Sequence, residues 1–190
     1  MTEAATLAGS QAPGIELPHP AAALERAYGR IWKDQMQGVP MLNPALRVQA
    51  LGFAPWQDHW LGVMVTPWFM NLMLLPRVAA RWQPIAERES RHYRFPAGVF
   101  EFIGGRDAAL GDFQACSLFS PMFDFADHAA AAATAEASLA ALFDAGNRPG
   151  SPVPAVEAAA PAAAAAAAPA ANLSKRSFLF GTAPRADRGA

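Results

Sequence analysis

The chain has 190 residues, with 15 Lys and Arg against 16 Asp and Glu, a formal net charge of -1 and a hydrophobic share of 53%. Such a balance lacks the dense basic face that nucleic-acid and anionic-membrane binders carry. A single cysteine, Cys116, excludes an internal disulfide and a multi-thiolate zinc site, and fits a reducing compartment.

Residues 1–18 read as a flexible leader, mildly polar and without Lys or Arg. No basic segment precedes an apolar one there, so no export signal is expected and a cytoplasmic location follows. His19-Pro20 opens a helix over residues 21–37. Leu24, Tyr28, Ile31, Trp32 and Met36 recur at three and four along one side, and Glu25, Arg26, Arg30, Lys33 and Asp34 fill the other. Gly38 and Pro40 end it.

Strand patterns follow. Residues 47–53 and 60–66 flank a loop at 54–59, and residues 93–95 and 100–102 flank a tight turn. With Ala97-Gly98 as a two-residue loop, Phe95 faces Phe100, Tyr93 faces Phe102 and Arg94 faces Glu101, putting aromatics on one face and an ion pair on the other. Residues 113–119 form the last of about five strands, reached through a glycine-flanked loop at 104–112. The predicted class is α+β: an N-terminal helix, an antiparallel meander and a C-terminal helix.

Between these strands lies the most unusual stretch, residues 63–76, in which only Thr66 and Asn71 carry polar side chains. Pro67 and Pro76 forbid one regular element and leave far fewer than the roughly 20 apolar residues of a membrane span. Residues 63–66 complete a strand and Pro67 turns the chain out of it. Trp68, Phe69 and Met70 supply either core or an adaptable partner surface, since aromatics give area and methionine conforms to varied sequences. Asn71, an amide in an apolar run, must find hydrogen bonds, by fastening a turn or by reading a partner's backbone.

After Ser120-Pro121, Asp124 or Asp127 caps a helix running to about residue 145, anchored by Leu139, Leu142 and Phe143 and stopped by Gly146-Asn147. Residues 147–173 are an Ala/Pro-rich linker that cannot bury enough apolar surface to fold alone. The tail, 174–190, contains Ser-Lys-Arg-Ser-Phe-Leu-Phe at 174–180. This is similar to the twin-arginine export motif with Lys175 in place of the first arginine, but no apolar segment follows it. Ser174, Lys175, Arg176, Phe178 and Leu179 are thus candidates for an internal imitation of a signal, beside the plain alternative of a basic tail.

Three blocks, Ile31-Trp32, Gly-Val-Pro-Met-Leu-Asn-Pro at 38–44 and Thr-Pro-Trp-Phe-Met-Asn-Leu-Met-Leu-Leu-Pro at 66–76, resemble the HybE family of nickel-iron hydrogenase assembly chaperones, called HupJ or HoxT in some organisms. The resemblance covers residues 21–143, so that 19–146 is one chaperone-like domain. It implies a non-catalytic cytosolic accessory protein that binds an immature small or large hydrogenase subunit, the small-subunit precursor with its twin-arginine signal included, and that meets other accessory proteins. Some members carry a fused rubredoxin with four cysteine ligands, which one cysteine cannot supply. Trp68, Phe69, Met70 and Asn71 become candidate client contacts, with Asp58 and Glu101 as carboxylates for a cationic signal. On this reading the tail either occupies the client groove, in its own chain or a neighbouring copy, or recruits export machinery or another chaperone.

Catalytic and metal residues are not identified. Cys116 reads as a buried small hydrophobe, His59 and His92 lack ligand spacing with each other or with His19 and His128, and Gly104-Gly105 lacks a phosphate-loop frame. The competing class is a cofactor- or metal-handling maturation protein with a ligand in the sheet and Cys116 paired to a histidine.

Overall fold

The computed structural model describes residues 14–148. The tail expected at 174–190 and all but the first two residues of the linker expected at 147–173, like most of the leader, lie outside these residues. Helix α1 spans Ala21–Gln35, two residues shorter than the periodicity predicts. Pro20 stands at its N-cap without a side-chain cap, but the His19 ring nitrogen Nδ1 accepts from the Ala21 amide, occupying one of the donors that a helix start leaves open. Its buried face is Leu24, Ala27 and Tyr28, and Gly38, at φ 77°, lets the chain reverse beyond its end.

Six strands follow: β1 (Gln49–Trp56), β2 (His59–Val65), β3 (Met70–Pro76), β4 (Ser90–Phe95), β5 (Gly98–Asp107) and β6 (Gly111–Phe119), with α2 at His128–Leu142. The α+β architecture with an antiparallel sheet is as expected, with one strand more than the five anticipated. The extra one is β3, hidden in the apolar run because it does not alternate. Sheet order is β1-β2-β3-β6-β5-β4, two three-stranded meanders joined where β3 pairs with β6.

The lack of alternation has a packing cause. In β2 and β3, Leu61, Val63, Val65, Leu72 and Leu74 join the cluster that includes Ala131, Ala135 and Leu142 of α2. Met64, Met73 and Leu75 join Leu24 and Tyr28 of α1 on the opposite face. Strands covered on both faces read as continuous apolar runs. On the outer meander, alternation returns: Phe100 and Phe102 are buried while Val99, Glu101 and Ile103 are exposed.

The register between β4 and β5 differs from expectation by two residues, and the turn by one. Phe95 pairs with Gly98, Tyr93 with Phe100 and His92 with Glu101, so Pro96-Ala97 is the loop. Proline fixes φ near -65° and suits the first central position of a turn, which draws the turn one residue toward the N-terminus. A shift of two keeps the aromatics on one face, but Arg94 now opposes Val99 and the predicted Arg94–Glu101 pair across the ladder is not made.

β1 carries a bulge between Leu51 and Ala54. Gly52 sits there at φ 62°, and a Cβ would fall 2.6 Å from the Leu139 side chain of α2, so glycine permits both the bend and the close approach of the helix. In α2 the buried positions are His128, Ala131, Ala135, Ser138 and Leu142, mostly small, which lets the backbone lie close to the sheet. Of the two candidate caps, Asp127 does the work: its Oδ1 accepts from the Ala130 amide at 2.8 Å.

Candidate functional site

Thr66 organises the turn that carries the aromatic pair. Its hydroxyl accepts from the amides of Trp68 and Phe69 and donates to the Phe69 carbonyl at 3.0 Å, while its own amide donates to that carbonyl at 2.9 Å. Thr66 is fully buried, and both its hydroxyl and its amide are matched. The turn role open to Asn71 thus belongs to Thr66.

A second buried side chain ties this turn to the rest of the molecule. The Asn43 amide nitrogen Nδ2 donates to the carbonyls of Met122 at 3.0 Å and Phe125 at 2.7 Å, and Oδ1 accepts from the Ala45 amide. The backbone amide of Asn43 donates to the Pro67 carbonyl at 2.8 Å. Ser120 Oγ adds a longer bond of 3.4 Å to the Trp68 carbonyl. Three loops, around 36–46, 66–69 and 120–127, are therefore bound into one end of the sheet by hydrogen bonds whose hub is one asparagine.

At this end Phe69 meets Tyr28 of α1 edge to face at 5.4 Å, and Trp68 meets Phe69 at 5.7 Å. Burial, with a smaller contribution from Asp107, pushes the Tyr28 phenol up to about 12, so it stays neutral. Trp68 and Phe69 are half-buried, and the loops that flank them carry two exposed apolar side chains, Met41 at 44% and Phe123 at 58%. Apolar side chains held on a fixed frame suit the capture of an extended or partly folded polypeptide.

The other candidates are dispersed. Met70 is fully enclosed, opposite Val65 and Phe119, and belongs to the core. Asn71 lies in β3 between Met64 and Ser117, half-buried, and its Oδ1 is buried without a hydrogen-bond partner among the described residues. Asp58 sits at the other end of β2, where its carboxylate meets Arg81 at 2.9 Å and its carbonyl accepts from the amides of Arg77 and Val78. Glu101 is exposed on β5, opposite His92. The tail candidates Ser174, Lys175, Arg176, Phe178 and Leu179 fall outside the described residues. Asn43, Met41, Ser120 and Phe123 were not anticipated; the Asn-Pro pair at 43–44 signals a turn, but nothing local points to carbonyls 79 and 82 residues away.

Cys116 is 1% exposed, opposite Leu72. Among the described residues no three His, Cys, Asp or Glu side chains gather to hold a metal ion, and no helix is long and apolar enough to cross a membrane. His59 and His128 are both held below the ordinary imidazole range, chiefly by burial, with Arg91 and Arg47 respectively adding to the effect. The His128 ring accepts from the Arg47 amide at 3.3 Å through Nδ1 and meets the Gln49 side chain through Nε2.

Comparison with known proteins gives this geometry a context. Residues 19–181 match the profile of the family described as [NiFe]-hydrogenase assembly, chaperone, HybE. The chain is 39% identical over 127 residues to a protein named probable rubredoxin HupJ from Rhodobacter capsulatus, a match spanning 67% of this chain but less than half, 46%, of that protein. It is 44% identical over 119 residues to the hydrogenase expression/formation protein HupJ of Bradyrhizobium diazoefficiens, covering 63% of this chain and 69% of the relative. In three dimensions it is similar to the solution structure of HybE from Escherichia coli, with a TM-score of 0.54 and 20% identity over 83% of this chain and 93% of that one, a likeness of fold.

Proposed function

This chain belongs to the HybE family of [NiFe]-hydrogenase assembly chaperones, and on that premise we propose that it works in the cytoplasm without chemistry of its own, holding an immature hydrogenase subunit until assembly is complete. The client is the small-subunit precursor with its twin-arginine signal or the large-subunit precursor, and other accessory proteins are further partners. One observation carries the placement of the client: the Asn43 hub, which fixes Trp68 and Phe69 between loops bearing exposed Met41 and Phe123.

An assembly chaperone must bind a surface that the finished enzyme hides, and such surfaces are apolar. A rigid frame lowers the ordering cost of binding, so that modest apolar contacts suffice. Met70 contributes from beneath by supporting the turn.

The test is titration calorimetry of the intact protein with each purified subunit precursor and with the isolated signal peptide. Binding of a precursor weakened about tenfold or more by Trp68→Ala, with little change in thermal stability, supports the reading. Unaltered binding in the Trp68→Ala and Phe123→Ser proteins removes this surface from the client site.

A further inference from the structure

Among the described residues, β5 and β6 pair with each other at their hairpin end. Among the described residues their ladder runs from Asp107 opposite Gly111 to Ile103 opposite Ala115, whereas β5 begins at Gly98 and β6 continues to Phe119. Beyond Ile103 the two strands diverge, β5 keeping its register with β4 and β6 its register with β3. The diverging halves expose Val99 at 53%, Glu101 and Ser117 beside Ile103 at 49%, and the loop that leaves β6 carries exposed Asp124.

We propose that residues 174–180 of this same chain dock between the diverging halves of β5 and β6, running antiparallel to β6, with Phe178 and Phe180 at the Ile103 end and Lys175 and Arg176 at the Asp124 end. The alternation matches the site: in an extended segment Phe178 and Phe180 point to one side and Leu179 to the other, offering apolar groups to both faces of the opening. The charge order matches too, since an antiparallel segment brings its N-terminal basic pair to the acidic end of β6.

Chain geometry allows it. The described residues end beside the β4–β5 turn, where Arg148 Nε donates to the Pro96 carbonyl at 2.8 Å. The 26 residues from Arg148 to Ser174 reach roughly 25–30 Å as a coil. The linker has only to deliver Ser174 to the Phe119 end of β6, which is the same end of the antiparallel pair as the Pro96 turn, so the reach is ample. Tethering at that distance holds the segment at up to about millimolar effective concentration. The family match runs to residue 181 and so includes this segment, although low-complexity sequence separates it from the domain. The placement deepens the function proposed above, and rests on it only for the further claim that a client's basic and apolar signal competes with the tail.

Amide hydrogen exchange of the full-length protein, read by mass spectrometry, tests the docking without any client. Phe178→Glu/Phe180→Glu should speed exchange in peptides covering 98–102 and 116–119 at least tenfold and leave peptides from β1 and β2 unchanged. Lys175→Glu/Arg176→Glu, which leaves the apolar groups intact, should do the same in smaller measure, and Asp124→Lys added to it should restore protection. Equal exchange in all these proteins overturns the proposal, as does protection that falls on diluting the wild-type protein, which would place the segment on a second copy. Client affinity is measured separately: docking confirmed with unchanged client affinity in the Phe178→Glu/Phe180→Glu protein would sink the competition and spare the docking.

Discussion

The Trp56 indole stacks on the Phe95 ring at a centroid distance of 4.4 Å and an interplanar angle of 19°, although the two residues lie on β1 and β4, the opposite edges of the sheet. Tyr93 meets the same indole edge to face at 5.9 Å. The sheet is therefore curled so that its edges approach over the core shared with α2, and aromatic contact holds the closure.

Trp56→Ala should cost about 2–4 kcal/mol, since it loses a large half-buried side chain together with an aromatic pair worth roughly 1 kcal/mol beyond its area. Chemical denaturation checks this: the midpoint should fall with the slope unchanged. A loss below about 1 kcal/mol would mean that the curl is set by α2 alone.

Asn43→Ala should cost about 2–3 kcal/mol, because two buried carbonyls and the Ala45 amide lose a partner at once. Asn43→Asp should be worse despite its similar shape, because a carboxylate presents no donor to the Met122 and Phe125 carbonyls and would be buried among oxygens. Denaturation of both variants in parallel gives the order, and the reverse order would disprove the hub.

Stability should fall on mild acidification. His59 and His128 have folded pKa values below the ordinary 6.5. Above pH 6.5 both states are neutral at these rings; as pH falls below 6.5 the unfolded chain takes up protons that the folded protein refuses, so unfolding gains up to 1.36 kcal/mol per pH unit per group until the folded pKa is passed. His128→Gln keeps polar contacts without titrating and should reduce this slope. Thermal melts from pH 8 to pH 5 measure it, and an identical slope in the variant would clear His128.

Gly104→Ala should destabilise by about 1–3 kcal/mol, because a Cβ there would fall 2.4 Å from the Ala86 carbonyl and 2.6 Å from that of Ile85. The Gly104 amide and carbonyl also bond Glu89 and Arg88, so the crossover from β3 to β4 should loosen with it. Limited proteolysis between residues 77 and 89 reports the loosening, and a resistant variant would show that the segment can shift.

Local patterns made most elements legible from sequence. The three- and four-residue spacing of α1, the Asp127 cap and the alternation of β4 and β5 are short-range signals that tertiary packing did not override. β3 escaped because coverage on both faces erases the period-two pattern by which a strand is recognised. The β4–β5 register went astray at the turn, where Ala97-Gly98 looked like a mirror-image turn and Pro96 took the first central position instead. At the candidate site, Trp68 and Phe69 stood out by type. The Asn43 hub did not, because a side chain that bonds main-chain carbonyls leaves no trace in the identity of its partners.

The double coverage of β2 and β3 also sets where the sequence can drift. With α1 over one face and α2 over the other, a charge at Met64 or Met73 is as damaging as one at Val63 or Leu72, so a saturation scan of these strands should find no alternating rhythm of tolerance. β5 should show that rhythm plainly in fold stability, accepting polar substitutions at 101 and rejecting them at 100 and 102. Neutral variation would then collect on the outer meander while the inner one stays nearly fixed, leaving the half of the molecule that carries Trp68 as the part relatives can least afford to rewrite.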